Sequence, residues 1–172
     1  MNRSRTNREK TTRIALSGLL VALMLVLGFI ESLIPVATAV PGVKLGLSNG
    51  VLIFAVYMLG IPTSFVLMIL KVVLSGFMFG GVSAMMYAFA GGLVSLTLMV
   101  LLSRVKGMHP VVVSMVGGVG HNVGQVALAM LMLNTPRLLY YMAVLMVVGL
   151  VCGAVTGVSA NAVMGHLKKL RR

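Results

Sequence analysis

The chain has 172 residues, of which 59% are hydrophobic and only 9% charged, and its mean hydropathy is +1.09. No soluble domain of this size has that composition, so the whole chain reads as membrane-embedded, with no stretch left to build a separate soluble domain. The net charge of +12 does not mark a nucleic-acid binder, because the basic residues gather at the two ends and in one connection, where they report topology.

The head, 1–13, carries Arg3, Arg5, Arg8, Lys10 and Arg13 and is expected to be a basic cytoplasmic segment. A basic head before an apolar run, with Ala37, Thr38 and Ala39 further on, has the outline of a secretory signal. The run from Ile14 to Ile30 is longer than the usual 7 to 15 residue core of such signals, which favours a retained first span over 14–34. Gly18 and Ala22 in that span are four residues apart, a spacing that lets helices approach closely. Glu31 stands at its outer end. A second, short span over 46–60 follows Pro35 and the run Pro41-Gly42-Val43-Lys44-Leu45-Gly46-Leu47-Ser48-Asn49. Short or Gly/Pro-interrupted segments point to binding sites in transporters. Ser48 or Asn49 is placed to cap this helix, leaving a positive dipole end beside Lys44 that suits a phosphate or carboxylate.

Gly60-Ile61-Pro62 then ends one helix and opens the next, giving a third span over 62–80 and a fourth over 83–103. The connection from Ser103 to Pro110 holds Arg104 and Lys106 and is expected on the cytoplasmic side. A fifth span over 110–133 and a sixth over 138–161 follow, and a basic cytoplasmic tail over 162–172 closes the chain. Six spans make one transmembrane domain over 14–161: an all-α integral membrane protein, a compact six-helix bundle with both termini cytoplasmic. Small residues recur every four positions at Gly149, Gly153 and Gly157, at Ala84, Ala88 and Gly92, and at Gly120 and Gly124, which predicts backbone-to-backbone packing inside the bundle. Tyr140 and Tyr141 read as interfacial anchors. The single cysteine, Cys152, excludes an intrachain disulfide.

Lys71 is the most informative residue. A charge at mid-bilayer costs about 2.5 to 3.5 kcal/mol on insertion scales, so such a residue faces the bundle interior and marks a functional candidate. At about 1.5 Å of rise per residue, Lys71 lies about 14 Å past Pro62 and His121 about 15 Å past Val111. Ser75 and Gln125, each four residues further along, share their faces. Asn122, Lys44, Ser48, Asn49 and Glu31 complete a polar path inward from the surface. Lys71 either contacts substrate or forms a structural ion pair with Glu31. His121 and Asn122 either bind a ligand or serve as interhelical hydrogen bonds.

The chain contains no phosphate-binding G-x-x-x-x-G-K-[ST] loop, so any ATP-driven step needs a partner. Asp is absent and Glu9 and Glu31 are the only acids, too few to hold Mg²⁺ against a diphosphate. The chain is therefore expected to be no enzyme by itself, and to use no metal or cofactor.

The run Pro41 to Asn49, then Leu74-Ser75-Gly76 with Phe79-Gly80, Gly91-Gly92 with Ser95, and Gly120-His121-Asn122-Val123-Gly124-Gln125 are the recognisable segments. Through them, over roughly 14 to 160, the chain resembles the Gx transporter family, also called heptaprenyl diphosphate synthase component I. The resemblance implies a six-helix bundle of the bacterial cytoplasmic membrane, similar to the substrate-binding S components of energy-coupling factor transporters. It implies capture of a small anionic, isoprenoid-like or vitamin-like molecule from the outer side, with an energy-coupling membrane subunit and two ATPases as partners. Gly18 and Ala22 are the nearest match to the partner contact. Lys71 stands where the family more often has arginine, which keeps the charge and loses a bidentate contact. The family's other name implies an alternative: a non-catalytic membrane component of a heptaprenyl diphosphate synthase system in quinone precursor biosynthesis.

Overall fold

The computed structural model describes residues 2–33 and 44–170. The connection 34–43, with the Ala37 to Ala39 motif, and the last two arginines lie outside the described residues. Every element among the described residues is helical. In chain order these are α1 (Asn2–Leu33), a 3-10 turn (Leu47–Asn49), α2 (Gly50–Met58), α3 (Ile61–Ser75), a π turn (Gly76–Gly80), α4 (Gly81–Ser103), α5 (Pro110–Leu133) and α6 (Leu138–Leu170).

Among the described residues, four helical stretches are long and apolar enough to cross a membrane: Asn7–Leu33, Ile61–Ser103, Pro110–Leu133 and Leu138–Leu167. The second of these holds the regions expected as third and fourth spans, and it folds back on itself. After the π turn, Gly81 takes a φ of 73°, which glycine adopts without steric cost and which reverses the chain. Residues on either side of the reversal then meet, because a Cβ on Gly92 would stand 3.0 Å from Met68 Sδ and one on Gly76 would stand 2.9 Å from Met85 Cβ.

The region expected as a second span corrects the sequence reading most. Three residues of 3-10 turn and nine of α2 give a rise of about 20 Å, short of the roughly 30 Å hydrocarbon layer. Gly50 to Val56 are all buried. A helix apolar all round belongs inside a bundle rather than against lipid, and α2 is the centre of the main apolar cluster with Met24, Leu67, Met68 and Met99.

Local chemistry explains the ends. Pro110 opens α5 with His109 before it, whose Nδ1 accepts from the Val111 N–H at 3.3 Å. Asn134 closes α5 in the left-handed conformation. Arg13 Nη2 donates to the Leu59 carbonyl at 3.1 Å, which brings the start of the apolar part of α1 beside the α2–α3 turn. Leu16, Leu102, Met108 and Met164 join the same apolar cluster. The basic stretch of α1, the connection 104–109 and the far part of α6 therefore share one end of the bundle.

The predicted glycine packing is present where α5 meets α6. A Cβ on Gly153 would lie 2.6 Å from the Ser114 carbonyl oxygen, and one on Gly149 would lie 2.7 Å from the Gly118 carbonyl oxygen. Gly18 on α1 differs, since nothing stands within 4 Å of its Cβ position, and Ala22 is exposed as well.

Candidate functional site

Lys71 lies ten residues into α3, about 15 Å along its axis, and is 4% exposed. Its Nζ donates to Asn49 Oδ1 at 2.8 Å. Asn49 ends the 3-10 turn at the head of α2, so α2 begins inside the bundle, opposite Lys71 about two-thirds of the way along α3. The segment 44–49 enters the bundle from the end opposite the termini and delivers polar side chains to its centre.

Glu31 holds that segment. Its Oε1 accepts the Leu47 N–H, and its Oε2 accepts from Ser48 Oγ at 3.4 Å. The expectation that Ser48 or Asn49 caps the helix is corrected, because neither side chain makes a cap bond. The Glu31 carboxylate, arriving from α1, takes the exposed N–H and the positive end of the turn, as an anion should. Glu31 and Lys71 do not form the alternative ion pair directly; the ammonium bonds Asn49 instead. Lys71 and Lys44 both act on the Glu31 carboxylate through space.

On the opposite wall, α5 contributes three buried residues. Gln125 clamps the backbone of Lys44, accepting from its N–H through Oε1 at 3.1 Å and donating to its carbonyl through Nε2. The same Nε2 donates to Asn122 Oδ1 at 2.8 Å, and Asn122 Nδ2 donates to the Leu145 carbonyl of α6 at 2.5 Å. This chain of bonds fixes segment 44–49 against α5 and α6, so both amides are satisfied by protein groups. His121 packs between Gly46 and Gly91, where a Cβ on either would overlap its ring. Ser75 is buried, and its hydroxyl donates to the Val72 carbonyl of its own helix at 3.2 Å.

Among the described residues, Asn49 Nδ2 and Ser95 Oγ are buried without a hydrogen-bond partner, and His121 Nδ1 lies against the Gly91 backbone. Each unpartnered atom costs about 1 to 3 kcal/mol, and Asn49 bonds Lys71 directly while His121 packs on Gly91, one helical turn from Ser95. Two lysines and one carboxylate leave the site with one formal positive charge in excess. That excess of positive charge suits an anionic group. Among the described residues no three His, Cys, Asp or Glu side chains converge as a metal site would require.

Two parts of the site escaped the sequence reading. Phe79, on the π turn, covers Lys44, whose Nζ lies 4.6 Å from the ring centroid, and meets Phe29 edge to face at 5.8 Å. Ser95 faces the buried interior of α4. The signal for both was present in the quoted segments, where an aromatic follows Gly76 and a serine follows a glycine pair, yet neither residue type carries charge. The remaining expected positions, Gly18 and Ala22, lie far from this cluster on the outer face of α1.

The sequence model for heptaprenyl diphosphate synthase component I matches residues 20–163, so the chain belongs to that family. No curated protein and no solved structure matches it.

Proposed function

We propose that this membrane component of a heptaprenyl diphosphate synthase system is non-catalytic, and binds an anionic, isoprenoid-type molecule between α3, α5 and the segment 44–49. Family membership over 20–163 supports the role, and with it a second synthase component as partner. The observation that carries the binding site is Lys71, a buried cation bonded to Asn49, whose Nδ2 has no partner among the described residues. A buried ionisable group facing a bundle interior marks a ligand pathway. In this reading Lys71 and Lys44 neutralise the anion, Asn49 and His121 supply donors, and Asn122 and Gln125 hold the wall. The near absence of acids keeps Mg²⁺-dependent chemistry on the partner. The bundle sits in the bacterial cytoplasmic membrane with its basic end, and so both termini, inside. The reversal at Gly81 divides the longest stretch into two crossings, and an even number of passes in all would return both termini to one side.

A second reading is favoured by α2, a helix that starts inside the bundle, as in transporters whose binding sites lie near the midplane. It makes the chain a substrate-capturing subunit similar to energy-coupling factor S components, taking a small anionic or vitamin-like molecule from the outer side with a coupling subunit and two ATPases. Mass spectrometry of the tagged chain, purified gently from its native membrane, separates the two. A co-purifying prenyl synthase subunit supports the first reading; a coupling membrane protein with phosphate-loop ATPases overturns it in favour of the second. The ligand is tested by prenyl diphosphate binding to a Lys44→Ala and Lys71→Ala double variant, and unchanged binding would sink the isoprenoid assignment.

A further inference from the structure

The reading above leaves unused a lateral groove between α1 and α3 at the end that carries both termini. The groove encloses about 620 Å³, with Ile14, Gly18, Val21 and Leu70 along it and Lys10 and Arg13 at its mouth. Gly18 keeps it open, because its missing side chain would meet nothing within 4 Å. Ile14 and Leu70 are 73% and 44% exposed, so the groove faces the surroundings rather than the bundle centre. The bond from Arg13 to the Leu59 carbonyl holds its guanidinium at the mouth.

We propose that this groove is a site for one anionic phospholipid of the leaflet on the basic side. Its phosphate lies on Lys10 and Arg13, and one acyl chain runs along Ile14, Gly18 and Val21. Charge complementarity selects the headgroup. Length suits a single acyl chain, since Ile14 to Val21 spans about 10 Å of helix, within one leaflet of a roughly 30 Å hydrocarbon layer. A long polyprenyl chain would overrun it. The site is separate from the Lys71 cluster, and it stands or falls independently of the ligand bound there.

The test is native mass spectrometry of the full chain released from vesicles of equal phosphatidylglycerol and phosphatidylcholine. One retained phosphatidylglycerol per chain is expected, favoured roughly 30-fold by two surface cations. Lys10→Gln, on an exposed side chain, reduces that preference about fivefold. Gly18→Leu fills the groove without touching the core and abolishes retention of the lipid. Equal retention of the two lipids overturns the proposal, as does unchanged phosphatidylglycerol retention in Gly18→Leu. Stoichiometric displacement of the lipid by heptaprenyl diphosphate would also overturn it, assigning the groove to that amphiphile.

Discussion

Helix α5 packs along most of its length against α4 on one side and α6 on the other, whereas α1, α2 and α3 meet their neighbours over shorter stretches. The chemistry at the contacts differs in the same way. Gly118, Gly149 and Gly153 bring α5 and α6 backbone to backbone, and close approach of that kind is what holds helices together in lipid, where no hydrophobic force does so. On the other side Gly18 faces open space, and a groove separates α1 from α3. The polar cluster sits on the border. Glu31, Lys44 and Lys71 come from the loosely packed half, and His121, Asn122 and Gln125 from the tight half. A ligand bound there would bridge a firm wall and a wall with room to shift, which is what a binding site that must open requires.

The sharpest way to break this comparison is a pair of glycine substitutions. Gly153→Leu drives a side chain against the Ser114 carbonyl and is expected to cost about 3 kcal/mol of stability, whereas Gly18→Leu should stay within about 0.5 kcal/mol. Denaturant unfolding in micelles measures both, and equal costs would erase the distinction between the halves. Lys71→Met removes the link from α3 to α2 and leaves Asn49 Oδ1 buried without a donor, for about 2 kcal/mol. A stability loss with ligand binding retained would make Lys71 a structural residue. Gln125→Leu releases the backbone of Lys44 and should speed amide hydrogen exchange over 44–49 about tenfold, at about 1.4 kcal/mol of local stability. The same amides should be unmoved in Gly18→Leu. Phe79→Leu loses the ring contacts to Lys44 and Phe29 and is expected to cost about 1 kcal/mol, read by thermal unfolding.

Much of this was legible in the sequence where the signal is local. The α5 boundaries follow from Pro110 after His109 and from the polar stretch beginning at Asn134, and structure and sequence agree on them. The burial of Lys71 and His121 at similar depth follows from counting residues along helices. The four-residue recurrence of Gly149, Gly153 and Gly157 announced close packing on α6, and that of Gly120 and Gly124 close packing on α5, where they meet α4. The depth of α2 was not legible, because an apolar run bounded by glycines looks the same whether it faces lipid or is walled in by other helices. The capping by Glu31 was hidden for a related reason. Serine and asparagine near a helix start are the local choice, and only the fold shows that a carboxylate 16 residues back in the chain reaches the Leu47 N–H first. The buried hydroxyl of Ser95 carried no sequence signal beyond a glycine pair nearby.

The short α2 also bears on how the protein is made. A stretch of 10 to 14 apolar residues falls below the roughly 20 that a bilayer accepts as an independent span, so Leu47–Met58 cannot partition into lipid unaided. It must wait for walls supplied by α1, α3 and α6, and the contacts that lock it are the same ones that bring Glu31 and Lys71 together. Seating α2 and assembling the charged centre therefore depend on the same contacts, those of Glu31 and Lys71 with the segment 47–49.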